Sequence, residues 1–252
     1  TNEGGWAAQG NLSIQLSDIG SFSAMGKMVT AGFGGIEQSV SERSDKDDYQ
    51  YQFTTSADLG RLLPEKAKVT IPIYYSYSKH IVSPKYSPLD TDMLLSEALD
   101  ATQTEAEKDS IISLTTTSNV SRNFSITGAK VNISSKKHPM PYDPANFTFS
   151  YSRANTENRG ETTVYEYNTS WKAALSYSWS PNWKNWEPFK KWATKNKWAQ
   201  IIKDQNIAFA PQSITFNTDL GRTYYELQER DLENIANTQS LPVTWSSTYL
   251  WN

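Results

Sequence analysis

The chain has 252 residues, a net charge of −3 at pH 7, 13% aromatic residues and a mean hydropathy of −0.62. No apolar run approaches the ~18 residues of a transmembrane helix, which excludes a helical membrane protein. The absence of cysteine excludes disulfides, thiolate metal sites and cysteine nucleophiles, and the small negative charge argues against a nucleic-acid-binding protein.

Apolar and polar residues alternate along most of the chain, a pattern typical of β-strands with one apolar and one polar face. In the first segment Leu12 and Ile14 alternate with Ser13 and Gln15, and a tight reversal follows at residues 18–21. The same pattern predicts about nine strands, which cover residues 6–16, 22–33, 49–59, 69–78, 120–133, 147–152, 165–179, 214–220 and 243–251.

Three local features add detail to this pattern. The second predicted strand places Met25 and Val29 on its apolar side. Pro72 predicts a bulge or a locally unpaired edge, because proline has no N–H to donate to a strand ladder. A register shift is predicted near Thr127 and Gly128.

Two surroundings produce such alternation. In a soluble sandwich the apolar face packs on a second sheet, whereas in an outer-membrane barrel it contacts lipid and carries Tyr and Trp at the headgroup level. Tyr and Trp lie at the predicted strand ends here, and four predicted apolar faces carry no charged residue. The pattern favours an all-β, antiparallel transmembrane β-barrel segment of about nine strands with two short helical insertions. The soluble β-protein remains the alternative.

The barrel interpretation divides the strand residues into three sets. The predicted lipid-facing residues are Leu12, Ile14, Phe53, Ile71, Ile73, Phe149, Trp171, Leu175 and Phe216. The predicted interface aromatics are Tyr49, Tyr77, Tyr165, Trp179, Trp186, Trp192 and Trp251. The predicted lumen-facing residues are Ser13, Gln15, Gln52, Ser56, Ser170, Ser176 and Asn217.

The lengths of the connections predict which end of the barrel faces outwards. The even-numbered connections, including residues 79–117, are flexible and suit the cell exterior, and the odd-numbered ones are mostly compact and suit the periplasm. Residues 79–117 contain a predicted helical stretch from Asp90 to about Leu114, placed outside or in the lumen. The seventh connection, residues 180–212, is long, and its spaced Trp and Lys residues predict a periplasmic-side helix, either at the membrane boundary or packed beneath the barrel.

No residue pattern predicts catalysis, a metal or a cofactor. His80 and His138 are far apart in sequence, and the acidic group at residues 45–48 lacks the glycine of an EF-hand loop. The chain carries no phosphate-binding loop, nucleophile elbow or dinucleotide motif. We therefore expect no enzyme activity and no cofactor.

Seven short segments occur in a preserved order that spans almost the whole chain. They are GGWAA at 4–8, LGRLLPEK at 59–66, IPIYYSYS at 71–78, SPKYSPLDTD at 83–92, NFTFSYS at 146–152, EPF at 187–189 and FAPQSITFN at 209–217. In these segments the chain resembles the gliding-motility family SprA, also called Sov. The resemblance implies a part of the outer-membrane translocon of type IX secretion, a single-chain barrel of about 36 strands.

The resemblance also implies a location in the bacterial outer membrane and a set of partners. These are secreted cargo proteins, a PorV-like shuttle barrel, a plug protein and outer-membrane lipid, with no nucleic acid. Residues 1–252 are then expected to be a fragment of the barrel wall, because an odd number of strands does not close the usual bacterial barrel. The alternatives are a porin-like or TonB-type small-molecule transporter barrel and a soluble secreted β-sandwich adhesin or glycan-binding protein.

Overall fold

The computed structural model describes residues 4–35, 37, 43–87, 90–135, 139–181, 211–231 and 240–252. The strands within these residues are β1 (Ala7–Leu16), β2 (Gly20–Val29), β3 (Lys46–Asp58), β4 (Val69–Thr70), β5 (Pro72–Pro84), β6 (Tyr86–Ser87), β7 (Asp90–Leu94), β8 (Thr117–Val131), β9 (Phe147–Arg159), β10 (Thr163–Trp179), β11 (Ile214–Glu229) and β12 (Thr244–Trp251). The helices are α1 (Leu95–Asp100), α2 (Glu105–Thr115) and 3₁₀ turns at Leu59–Leu62, Glu65–Ala67 and Pro144–Asn146. No helix of the described residues is long and apolar enough to cross a membrane.

Nine long strands form one antiparallel sheet in the order β1-β2-β3-β5-β8-β9-β10-β11-β12, so that each pairs with the next long strand along the chain. The short strand β4 also pairs with β8, and β6 and β7 form a separate two-stranded sheet. This meander confirms the predicted all-β, antiparallel fold class. The sheet is open, since its edges β1 and β12 do not pair with each other.

The sheet of the described residues is a single layer. Leu95 is the one hydrophobic side chain among them that is buried, with 6% of its surface exposed. The accessible surface is 17951 Å², whereas a globular monomer of this mass exposes about 11,000 Å². In a sandwich a second sheet would cover the apolar face, and the described strands contain no such second layer.

The predicted register shift in the fifth long strand is confirmed. The pairing of β8 with β9 slips between Ile126 and Ala129. Gly128 lies in this bulge with a φ of +70°, a backbone conformation that side-chain-bearing residues rarely adopt. Its N–H donates to the Ser150 hydroxyl at 3.0 Å, so the displaced backbone group keeps a partner.

The predicted irregularity at Pro72 is also confirmed. Pro72 is the first residue of β5, and Ile71 separates it from β4. The Ile71 N–H donates to the side-chain Oδ1 of Asp58 at 2.9 Å instead of to a backbone carbonyl of a neighbouring strand, and the same oxygen accepts the Gly60 N–H at 2.9 Å. The Asp58 carboxylate therefore gives the backbone N–H between β4 and β5 a hydrogen-bond partner.

Several strands run further than predicted. β5 continues to Pro84, β9 to Arg159 and β11 to Glu229, because alternation persists there with charged residues on the apolar side. Residues 160–162 therefore form the connection between β9 and β10.

The insertion between β5 and β8 spans residues 85–116, slightly less than the predicted 79–117. Its first part, Asp90–Leu94, is a strand and not the predicted helix, whereas α1 and α2 confirm helix from Leu95 onwards. A capping box begins α2, because the Thr104 side chain accepts the Glu107 N–H and Glu107 accepts the Thr104 N–H, both at 3.3 Å.

The connections alternate between two ends of the sheet because neighbouring strands are antiparallel. Among the described residues, end A carries 17–19, 59–71, 132–135, 139–146, 180–181 and 211–213. End B carries 30–35, 37, 43–45, 85–87, 90–116, 160–162, 230–231 and 240–243. The helix predicted within residues 180–212 falls on residues 182–210, which are not among the described residues. Which end faces the cell exterior remains a prediction.

The connection between β8 and β9 is organised around one carboxylate. Asp143 is 4% exposed and accepts the N–H of Ser135 at 3.0 Å, the N–H of Met140 at 2.9 Å and the Ser135 hydroxyl at 2.7 Å. These hydrogen bonds, led by the Ser135 N–H, lower the pKa of Asp143 below its ordinary value of 3.8.

We expect the Asp143→Asn substitution to loosen this connection, because an amide cannot accept all three donors as a carboxylate does. Amide exchange at Ser135 and Met140, followed by mass spectrometry, should become several-fold faster, while Asp45→Asn at end B leaves it unchanged. Because the folded pKa is lowered, the stabilisation is complete above pH 3.8 and is lost as the pH falls through the folded value. Exchange unaffected by Asp143→Asn would contradict this role.

Candidate functional surfaces

The register assigns each strand residue to one of two faces of the sheet. Residues directly opposite each other on neighbouring strands point to the same face, and successive residues along a strand point to opposite faces. We call the face that carries Leu12 and Ile14 the apolar face and the face that carries Ser13 the polar face.

One row of residues crosses the middle of the polar face through all nine long strands. From β1 to β12 it consists of Ser13, Ser23, Thr54, Ser76, Asn123, Ala154, Ser170, Thr223 and Thr248. We call it the polar row. Every side chain in it is small or uncharged, and at its centre the Asn123 amide donates to the Ser76 hydroxyl at 3.2 Å.

The seven predicted lumen-facing residues all lie on this polar face. Ser13 and Ser170 belong to the polar row, and the others are in neighbouring rows. Hydrogen bonds join side chains across strands, between Ser21 and Ser56 at 2.8 Å and between Ser176 and Asn217. These residues therefore offer hydroxyls and amides, which adhere weakly to other proteins because water competes for the same bonds.

The predicted lipid-facing residues share the opposite face. Eight of them lie in strands whose register places them on the apolar face, and Ile71 joins Phe149 and Leu175 around an apolar depression of about 470 Å³. Many of these side chains are exposed, with 53% of Leu12 and 61% of Phe216 accessible.

The predicted interface aromatics divide into two groups. Tyr49 and Tyr165 lie near end B, and Trp179 is the last residue of β10 at end A, where its Nε1–H donates to the Pro139 carbonyl at 3.0 Å. Tyr77 lies within β5 opposite Phe53, and Trp251 is the last residue of β12 opposite Leu220, so both lie further from the two ends of the sheet. Their interface role stays a prediction.

The remaining two predicted interface aromatics, Trp186 and Trp192, lie outside the described residues.

Charged residues interrupt the apolar face in its end-B half. They lie on β3, β5, β8, β9 and β11 and comprise Asp47, Lys79, Arg122, Arg153, Glu157, Arg159, Arg222 and Glu226. Arg153 and Arg222 stand on either side of Trp171, each directly opposite it on the neighbouring strand. A predicted lipid-facing tryptophan is thus framed by two guanidinium groups.

The first 99 residues match the family model SprA_N, described as a motility related/secretion protein. This match covers 99 of the 252 residues and supports a relationship to the SprA family. The matched residues include the long strands β1, β2, β3 and β5. No curated protein matches the chain. The matched model implies a motility- or secretion-related family, and a membrane-associated secretion system is consistent with it.

Strand β2 of this SprA-related chain corrects one prediction about sidedness. Met25 and Val29 pair with Asn11 and Ala7 and therefore lie on the polar face, whereas Phe22 lies on the apolar face. Alternation along β2 is weak, so that its hydrophobic residues fall on both sides and only pairing decides which side is which.

The sequence itself carries a signal for the two arginines beside Trp171. The alternation that makes Tyr151 apolar-facing continues to Arg153, and the alternation that includes Leu220 continues to Arg222. Extending each predicted strand by two residues would have placed both charges on the apolar face.

Proposed function

We propose that this SprA-related chain forms part of the wall of a protein-conducting barrel of the type IX secretion system in the bacterial outer membrane. In this proposal the apolar face contacts lipid and the polar face lines the conduit. The observation that carries it is a single-layer sheet with exposed hydrophobic side chains on one face and the uncharged polar row on the other.

Lipid contact accounts for the exposed hydrophobic surface. Apolar surface left in water costs about 25 cal/mol per Å², so a face carrying Leu12, Phe53 and Phe216 is favourable only when something apolar covers it. Backbone groups within a bilayer must also be paired, which a barrel achieves between strands. Further strands beyond the unpaired edges β1 and β12 would complete such a wall.

The positions of the hydrophobic residues on the apolar face support the proposal that the strands cross the bilayer at an angle. In β1 the hydrophobic residues centre on Ile14. In β11 they lie between Ile214 and Leu220, and their centre is about five residues closer to end A than the position that the register aligns with Ile14. This offset is roughly 17 Å along the strands, over a distance of roughly 34 Å across the sheet from β1 to β11. Tilted strands of outer-membrane barrels produce an offset of this kind.

A protein conduit fits the polar row better than a small-molecule pore does. Selective pores commonly use rings of charged side chains, whereas no residue of the polar row carries a charge. Small hydroxyl groups remain hydrated and give a passing polypeptide few apolar contacts. We therefore favour secreted proteins over small solutes as the cargo.

The partners that the resemblance implies are part of this proposal. Secreted cargo proteins would pass the polar face, and a PorV-like shuttle barrel and a plug protein would bind elsewhere on the translocon. We propose no catalytic role and no cofactor for this chain.

Paired cysteine substitutions test which face contacts lipid. The chain contains no cysteine, so Ser13→Cys and Ile14→Cys, and likewise Ser176→Cys and Leu175→Cys, are matched variants of adjacent residues. In the full-length protein, with any other cysteines replaced, a water-soluble maleimide should label the polar-face variants several-fold faster in outer membranes. Denaturation should abolish the difference.

Equal labelling within both pairs in intact membranes would contradict the proposal. Labelling that is faster at Ile14→Cys and Leu175→Cys would contradict it as well, because it would place the apolar face in water.

A further inference from the structure

We propose that Arg153, Arg222 and Thr169 form a binding site for the phosphate group of an anionic membrane lipid in the leaflet at end B. The inference rests on the proposed function, because it requires the apolar face to contact lipid. It adds a specific headgroup site to a face that is otherwise mainly hydrophobic in its end-A half.

The three residues line one depression of about 400 Å³ on the apolar face, across β9, β10 and β11. Trp171 lies between the two arginines, and Tyr151 and Tyr224 complete the walls. Thr169 is the next residue on the same face of β10 towards end B. The depression therefore combines two fixed positive charges, a hydroxyl and aromatic rings.

Both guanidinium groups keep their terminal nitrogens available. Arg222 uses its Nε–H to donate to Ser247 at 3.1 Å, and Arg153 uses its Nε–H to donate to Asn155 at 3.2 Å. Within the described residues neither forms an ion pair with a carboxylate. A phosphate can accept two parallel bonds from such a free fork.

Aromatic rings hold Arg222 in place. Its guanidinium carbon lies 5.5 Å from the ring centre of Tyr224 and 5.2 Å from that of Tyr249. Such stacking orients the cation without neutralising it.

Thr169 supplies an independent indication of a ligand. It is 9% exposed, and its hydroxyl has no hydrogen-bond partner among the described residues. Buried hydroxyls without a partner are rare, because desolvation is then not compensated. A rotation of the Thr169 side chain would turn this hydroxyl into the depression that the residue lines, where a phosphate oxygen can accept its hydrogen.

The nearest carboxylates on the same face are already engaged. Glu157 pairs with Arg159 at 2.7 Å, and Glu226 accepts the hydroxyls of Tyr165 at 2.6 Å and Tyr224 at 2.5 Å. Both carboxylates lie four residues beyond the arginines towards end B, about 13 Å along the strand. The electrostatic potential around Trp171 therefore remains positive.

The depth of the arginines on the face favours a lipid headgroup as the source of the phosphate. A lipid-facing Arg costs roughly 2–4 kcal/mol at the midplane and almost nothing at the interface, so Arg153 and Arg222 belong at a boundary. From Trp171, the apolar positions of β10 extend eight residues to Trp179 at end A, about 26 Å along the strand. Acyl chains would thus lie against Leu175 while the phosphate reaches the arginines.

The test uses the full-length protein in phosphatidylcholine nanodiscs that contain a minor fraction of monophosphoryl lipid A. Native mass spectrometry after gentle extraction counts the lipid A retained per protein. The Arg153→Gln/Arg222→Gln double variant should retain about tenfold less, since charge-assisted bonds are lost, and Thr169→Val should retain less than wild type. Lys172→Gln, next to Trp171 on the polar face, is the matched control and should retain the wild-type amount.

Three outcomes would overturn the site: wild-type retention by the double variant, an equal loss in Lys172→Gln, or complete displacement of lipid A by millimolar inorganic phosphate, which would indicate a free-phosphate site. Cysteine labelling of Ser13→Cys and Ile14→Cys in the double-variant background separates the two proposals. If the labelling difference persists while retention is unchanged, the headgroup site fails and the lipid-facing wall stands. If the difference is absent in the wild type, the wall itself fails.

Discussion

A Leu175→Arg substitution is expected to destabilise the membrane-inserted protein by about 2–4 kcal/mol, the cost of a lipid-facing arginine near the midplane. Leu175 lies midway between Trp171 and Trp179 in β10, and it borders the apolar depression with Ile71 and Phe149. A guanidinium there loses its hydration and finds no carboxylate among the residues that line the depression. Denaturant unfolding of the full-length protein in lipid vesicles measures the change.

The matched control is Ser176→Arg, which adds the same side chain at the next residue on the polar face. In the proposed wall this arginine remains hydrated, beside Asn217, so its cost should stay below about 1 kcal/mol. Equal destabilisation by the two substitutions would show that both faces meet the same surroundings and would contradict lipid contact. A large cost only for Ser176→Arg would contradict it more strongly.

Introducing leucine along the polar row is expected to slow protein secretion several-fold. Ser13, Ser170 and Thr223 lie in this row, and none of the three forms a side-chain hydrogen bond within the described residues. A combined Ser13→Leu, Ser170→Leu and Thr223→Leu variant therefore removes no internal bond. Each added leucine offers about 1.5–3 kcal/mol of potential hydrophobic contact to a passing chain. Cargo appearing in the medium, at equal amounts of translocon in the outer membrane, gives the measurement.

Three leucines on the apolar face provide the control for this experiment. Ala24→Leu, Thr55→Leu and Ala173→Leu lie on β2, β3 and β10 and would contact lipid in the proposed wall. Their secretion should equal that of the wild type. Normal secretion by the polar-row variant, or an equal defect in the control, would argue against a polar face that lines the conduit.

Strong alternation explains why most of the two faces could be predicted from the sequence. Leu175 and Ser176 are adjacent and fall on opposite faces, and a period of two is sufficient to separate them. Gly128 marked the bulge in β8 because glycine tolerates the positive φ found there. In β2, by contrast, Met25 and Phe22 lie on opposite faces of a weakly alternating strand, so local pattern alone could not choose between them.

The pair Arg153 and Arg222 shows a different limit of prediction from the sequence. Arg153 and Arg222 are 69 positions apart in the numbering, and each belongs to a strand whose predicted end fell before it. Their common neighbour Trp171 is defined only by the pairing of β9, β10 and β11. No local pattern reports such a neighbour, because register depends on connections and bulges elsewhere in the sheet.

The sequence by itself determined that this is an antiparallel β-protein with a hydrophobic and a hydroxyl-rich side, since side chains must alternate along any extended strand. Only the tertiary structure decided that the strands form one uncovered layer, that nine of them align small, uncharged residues in a single row, and that two arginines enclose a tryptophan on the hydrophobic side. These features arise from hydrogen-bond pairing between distant segments, whose relative position no single segment encodes.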